Sequence, residues 1–259
     1  MHKYLKGTTL YKHLSYMKYY RYFYSLLFCL RNFPFKKAMK LPILFCEKSY
    51  AEITKSGKIV LSDQFWNNQG KVIIGYDAKD FSHQCEKTYI RVEGEIVING
   101  SFEMRRGATL EVCGKAIFGD FFLLGSNSIC RIHNYAEFGE SVRITHECQI
   151  YDTNFHPMED PRSPGYTAFS APISIGDHCW IGNRTTINKG SILPSYTTIA
   201  SNSLVAKDLS SEPPYTVWGG IPIRKLKENC TRVWDTSREF EYHKLEFPWY
   251  RKRYDKRNK

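Results

Sequence analysis

The chain of 259 residues contains no run of 18 apolar residues, which excludes a simple membrane-spanning helix. The nearest approach, "YFYSLLFCL" at Tyr22–Leu30, is too short to span, and no small-residue cleavage site follows it. The expectation is a cytoplasmic protein. No two of the eight cysteines (29, 46, 85, 113, 130, 148, 179 and 230) stand in CxxC spacing, so neither a metal framework nor a disulfide framework is read from them. They are expected to be scattered reduced thiols, several of them lining the interior, and no metal is expected. The formal charge of +11 gathers at both ends, in "YLKGTTLYKHLSYMKYYRYFYS" with "RNFPFKK", and in "WYRKRYDKRNK". No nucleic-acid-binding motif accompanies it, so nucleic acid is not expected as a partner. A solvated basic surface and peripheral contact with the anionic inner face of a membrane both stay open.

The stretch from Ile173 to Asp208 has neither a helical nor an alternating pattern. Ile175, Ile181, Ile187, Leu193, Ile199 and Val205 recur every sixth residue without a slip. An amphipathic helix needs apolar residues three and four apart, and a half-buried strand needs every second one. A period of six fits short strands joined at corners, three to a triangular coil of about 18 residues, with coils stacked about 4.8 Å apart. The residues after the aliphatic ones, among them Gly176, Gly182 and Asn188, are expected where the chain turns tightly. Cys179, Thr185, Ser191, Thr197 and Ser203 fill a second fixed place.

The rhythm begins near Lys87. Ile90, Ile96 and Phe102 keep step, then Ile117, Leu123 and Ile129 make a second run, and Ile132, Phe138, Ile144 and Ile150 a third. The slips between runs suggest bulges or small corner insertions. Residues 1–40 read as a basic, partly helical extension, 41–87 as an irregular β lead-in, 88–212 as the repeat domain, and 213–259 as a closing turn with a basic helix or tail. The rhythm stops at "TNFHPMEDPRSPGYTAFSAP", whose four prolines cannot sit inside a ladder. Residues 153–172 therefore form a loop leaving the prism, a place where function concentrates. That loop carries His156. His133, His146 and His178 fall on the hexads and read as surface or corner residues.

From Ile173 to Lys227 the chain resembles the hexapeptide-repeat acyltransferases, in particular the maltose and galactoside O-acetyltransferases and the sugar acetyltransferases of polysaccharide clusters. The segments that carry the resemblance are "PISIGDHCWIG" at 172–182, "VAKD" at 205–208 and "WGGIPIRKLK" at 218–227. The resemblance implies an all-β, left-handed parallel β-helix, a homotrimer with clefts between subunits, acetyl-CoA as co-substrate and a sugar or glycan acceptor. It implies His156 as the base that takes a hydroxyl proton, a role suited to an imidazole titrating near neutrality. Asp152 is expected either to orient that ring or to cap a turn. Asn127 is expected to hold the acceptor, although counting back from His156 lands on Ser126, and an Asx turn stays open.

Trp180, Gly182 and Asn183 are expected to border the pantetheine arm, with a backbone N–H near Gly182 facing the thioester oxygen. Ser201 and Ala206 match pantetheine contacts, and Lys207, Arg224 and Lys227 match positions near the coenzyme's phosphates. N-acetylation of a nucleotide-linked amino sugar is the alternative activity, and a non-catalytic binding module is the alternative class. A zinc lyase on the same fold would need three convergent histidines, which spacings of 13 and 10 between His133, His146 and His156 do not suggest.

Overall fold

The computed structural model describes residues 20–76 and 86–247. The remaining stretches, with Cys85 and most of the basic ends, lie outside them. Two compact units are present, Arg21–Thr231 and a second that contains Arg232 onward. In the first, the chain winds through three sheets in turn, pairing each strand in parallel with the strand one coil earlier. The result is a parallel β-helix of triangular section. Face 1 holds strands from Ile43–Phe45 to Arg224–Lys227, face 2 from Ser49–Ile53 to Leu204–Val205, and face 3 from Lys58–Leu61 to Ile192–Leu193.

The prism begins much earlier than the hexads show. Ile43 pairs with Val72, Ser49 with Thr88 and Lys58 with Glu95, so residues 43–76 build the first coils and are not an irregular lead-in. Their rhythm is hidden because those registers span 29, 39 and 37 residues, corner excursions included.

Nor are residues 21–38 an appendage. Helix α1 (Tyr22–Asn32) buries Ser25, Phe28 and Cys29 over the open end of the prism, followed by α2 (Phe35–Ala38). The Ser25 hydroxyl accepts the Phe45 N–H at 2.9 Å, and Tyr24 and Phe28 pack their rings 5.0 Å from Phe45. An end coil has no neighbour to cover its apolar interior, and the helix supplies that cover.

The phase slips have one cause. Between Thr88 and Ile144 the register advances by 20 residues per coil, as in Phe102 to Phe122 and Tyr135 to Lys115. From Ile173 to Val205 it advances by 18, as in Trp180 to Thr198. In the longer coils face 2 carries three inward side chains, such as Ala108, Leu110 and Val112, where the shorter coils carry two, Thr185 and Ile187. The run Ile117, Leu123 and Ile129 therefore points outward. The buried residues beside them are Phe118, Phe122 and Cys130. The wider coils accommodate phenylalanines stacked one coil apart, Phe118 on Phe138 at 5.0 Å and Phe102 on Phe122 at 5.2 Å. The narrower coils are filled by the aliphatic hexad residues and by Cys179, Thr185, Ser191, Thr197 and Ser203, all buried. Cys130, Cys148 and Cys179 line the interior as free thiols.

The glycines of the hexads answer to close approach. A Cβ on Gly182 would stand 2.5 Å from the Ser201 backbone nitrogen in the next coil, and one on Gly176 the same distance from that of Ser195. The left-handed corner residue lies elsewhere in the repeat, at His178, Arg184, Gly190, Tyr196 and Asn202, with φ between 54° and 73°.

In the second unit, helix α4 (after α3, Asp63–Asn67) runs Thr236–Glu246 with Asp235 as N-cap, accepting the Arg238 N–H at 2.8 Å. Among the described residues no helix is long and apolar enough to cross a membrane.

Candidate active site

The longest excursion of the repeat domain leaves face 2 after Gln149–Tyr151 and returns to face 3 at Ile173–Ile175, at the vertex between those faces. Two antiparallel bridges, Thr153 with Ser170 and Met158 with Thr167, make it a hairpin-like arm. Its neck is tied by Asn154 N–H to Phe169 O at 2.7 Å, Ala171 N–H to Asp152 O at 3.0 Å, and the Lys189 ammonium to Ala168 O at 2.7 Å. Phe155 turns back at φ 64° and sets its ring edge-on to His133, 5.1 Å away, and to Tyr151, 5.7 Å away. His133 is thus the corner residue against which the arm leans. The sequence signal for it is position alone: His133 stands 20 residues, one wide coil, before Thr153. His156 lies on the outgoing strand of the arm, between the two bridges, and is exposed. Arg162, near the tip, is held by Asp160 at 2.8 Å.

Asp152 does not reach into this arm. It is fully buried, and its oxygens accept three backbone N–H groups of the coil below: His133 at 2.8 Å, Asn134 at 2.7 Å and Tyr135 at 2.8 Å. It occupies the third inward place of face 2, above Val112 and Ile132, where the prism narrows to the shorter coil. A carboxylate is what an inward position needs when it faces backbone donors in place of apolar side chains. The turn-capping reading of Asp152 is the one the geometry realises.

Gly182 likewise has no donor to spare, since its N–H is spent in the ladder on Ile199 O at 2.7 Å. Asn127 sits at the vertex between faces 1 and 2 at φ 58°, its amide oxygen close over Gly107, a corner residue on a different edge from His156. Asn183 and Ser201 share that edge, and the Ser201 hydroxyl bonds the Asn183 side chain. Trp180 lies half-buried on the outward side of face 1, between Arg143 and Thr198.

The end of the prism opposite the helical cap is closed by Val217–Gly219, which adds to face 1 in parallel, and by Arg224–Lys227, which returns antiparallel across a cis Ile221–Pro222 peptide. Trp218 is buried, its indole N–H on the Thr216 hydroxyl at 3.0 Å, with the ammonium groups of Lys207 and Lys225 each 5.6 Å from its ring. Lys225 is neutralised by Glu212 and Glu228. Arg224 and Lys227 are exposed on the last strand, Ala206 and Lys207 at the vertex between faces 2 and 3. The structure therefore gathers the expected residues into three places. His156 and Lys207 fall on one edge, Asn127, Asn183 and Ser201 on another, and Trp180, Arg224 and Lys227 on the face opposite the first edge.

Near the base of the arm Glu111, Cys113 and His133 bring possible ligand atoms within 4.8 Å of one another. Glu111 is already paired with Arg131 at 3.2 Å, and burial pushes the Cys113 thiol up, with the carboxylates of Glu93 and Glu111 adding to the effect.

No family model matches the chain. Among curated proteins, galactoside O-acetyltransferase of Escherichia coli K12 is 30% identical over 138 residues, 49% of this chain and 65% of that protein. WbbJ of the same organism, named for lipopolysaccharide biosynthesis O-acetyl transfer, is 27% identical over 167 residues, 58% of this chain and 81% of that protein. The chain is similar to sugar O-acetyltransferases. It spans about two thirds of the length of the galactoside enzyme. Among solved structures, the polysialic-acid-specific acetyltransferase NeuO aligns at 17% identity and a TM-score of 0.49, over 79% of this chain and 87% of that one.

Proposed function

We propose that the chain is an acetyl-CoA-dependent O-acetyltransferase acting on a hydroxyl of a sugar or glycan. The observation that carries this reading is the 153–172 arm: one exposed histidine raised on a tied loop, at the only long break in the hexad coils that follow Thr88. In this mechanism His156 takes the proton of the acceptor hydroxyl as its oxygen attacks the thioester carbonyl. The tetrahedral intermediate then collapses, breaking the C–S bond, and the departing thiolate recovers the proton from the imidazolium. The acetyl group moves directly, with no acyl-enzyme. Arg224 and Lys227, which make no ion pair among the described residues, supply cations for the coenzyme's phosphates, and Lys207 supplies a further one from the edge that carries His156.

His156 stands on the vertex opposite face 1, which bears Trp180. A coenzyme lying along face 1 of one copy meets the histidine of another, and three prisms joined vertex to face close as a cyclic trimer. The homotrimer follows from that division of the site. The test is thiol release from acetyl-CoA with a panel of glycans, followed by mild base. An ester product is lost in base and supports the reading. An amide that survives base assigns the chain to amino-sugar acylation, and the absence of acetyl-CoA binding overturns both.

A further inference from the structure

Helix α1 is apolar on two sides. Its inner side, Phe28 and Cys29 with Ser25, plugs the prism. At 100° per residue, Phe23, Leu27 and Leu30 fall on the opposite side, and they are 76%, 46% and 39% exposed. Phe35 and Met39, in and just after α2, continue the patch at 70% and 52%. A helix apolar all round is ordinarily covered on both sides, and a contiguous exposed apolar patch marks a contact surface.

The charge around the patch says what covers it. Arg31, Lys36, Lys37 and Lys40 are exposed among these side chains, and Glu52, which shares a groove with Leu27 and Arg31, is a single carboxylate at the margin. Trp66, half-buried below them, has the Lys37 ammonium 4.9 Å and the Lys40 ammonium 5.8 Å from its ring. A second copy placed face to face on this patch would set cation against cation. An anionic bilayer offers phosphates or carboxylates at the depth of the lysines and hydrocarbon just below, at the depth of Phe23, Leu27 and Phe35.

We propose that the capped end of the prism docks end-on to an anionic membrane through Phe23, Leu27, Leu30, Phe35 and Met39, with Arg31, Lys36, Lys37 and Lys40 at headgroup level. Four coil spacings separate the first strand of face 2 from the one that launches the 153–172 arm. At about 4.8 Å per spacing, the arm stands roughly 20 Å along the prism from the docked end. The docking surface does not depend on the transferase reading, and neither does its test.

The test is sedimentation of the full chain with phosphatidylcholine vesicles and with vesicles that also carry phosphatidylserine. Two triple variants accompany it, Phe23→Ser/Leu27→Ser/Leu30→Ser and Lys36→Glu/Lys37→Glu/Lys40→Glu. The native chain is expected on the phosphatidylserine vesicles alone, less so as salt rises. Each variant is expected to lose about tenfold or more in binding while keeping the native melting temperature and particle mass. Absence of binding overturns the proposal. So does undiminished binding of both variants, which would place the membrane contact in the basic ends. A drop in particle mass of the serine variant also overturns it, by assigning the patch to a contact between copies.

Discussion

The carboxylate of Asp152 accepts the backbone N–H of Asn134 at 2.7 Å, one coil away, and its two oxygens also hold the N–H groups of His133 and Tyr135. All three partners belong to the corner on which the His156 arm leans. Asp152→Ala leaves those donors facing a buried gap. The expected loss is about 3 kcal/mol or more of unfolding free energy, read by urea denaturation. An Asp152→Ala protein of native stability with selectively reduced turnover would instead return Asp152 to the role of ring-orienting residue.

Close stacking of coils makes a second prediction. Gly182→Ala places a methyl 2.5 Å from the Ser201 nitrogen, and neither backbone can yield without parting a ladder. Overpacking of this kind costs about 1–3 kcal/mol. Thermal melting should show the loss, whereas Gly165→Ala, whose Cβ meets nothing within 4 Å though at φ 114°, reports the strain of the conformation alone. Equal melting of the Gly182 variant and the native protein would contradict the stacking argument.

Buried thiols make stability at alkaline pH a third prediction. Burial pushes the Cys179 thiol up to about 12 from 9.0, and raises Cys130, Cys148 and Cys29 in the same direction. A thiol whose folded value is raised keeps its proton in the native state and loses it in the unfolded chain above pH 9. Its contribution to stability is complete below pH 9 and is lost as pH rises toward the folded value. For Cys179 the fall is about 1.4 kcal/mol per pH unit between pH 9 and 12. Cys179→Ser keeps a donor for Pro194 O, which the thiol now contacts at 3.2 Å. Its unfolding free energy should fall less steeply over that window. An unchanged slope would mean that the thiol ionises in place.

The sequence made the last six hexads legible because every coil there has 18 residues and a single inward rhythm. It hid the first coils for a physical reason: the 29-, 37- and 39-residue registers of residues 43–95 carry long corners, and the wide coils add one inward residue on face 2. Helix α1 was legible as a helix but not as a plug, since an apolar inner side and an apolar outer side look alike in a linear pattern. His156 stands out as a candidate because the prolines around it break a regular ladder. Asp152 was placed by its nearness to His156 in sequence, but strand alternation points it inward, away from the arm.

Assembly supplies a further prediction. Sedimentation should give about three times the 30.3 kDa chain mass. In a 1:1 mixture of His156→Ala and Trp180→Ala chains, refolded together, about a quarter of vertex-to-face junctions carry both native residues. Activity above that of either variant alone is expected. A mixture no more active than its parts, or a fully active monomer, would place the whole site within one copy.

The most direct test of the account is turnover of His156→Ala at saturating acetyl-CoA and acceptor, with coenzyme affinity measured calorimetrically on the same preparation. The arm is exposed and tied by bonds that do not involve the imidazole, so the variant should fold, assemble and bind coenzyme as the native chain does. Its turnover should fall by about 10² to 10⁴, the worth of a positioned base. A folded His156→Ala protein with native turnover would contradict the account and remove the 153–172 arm from the active site.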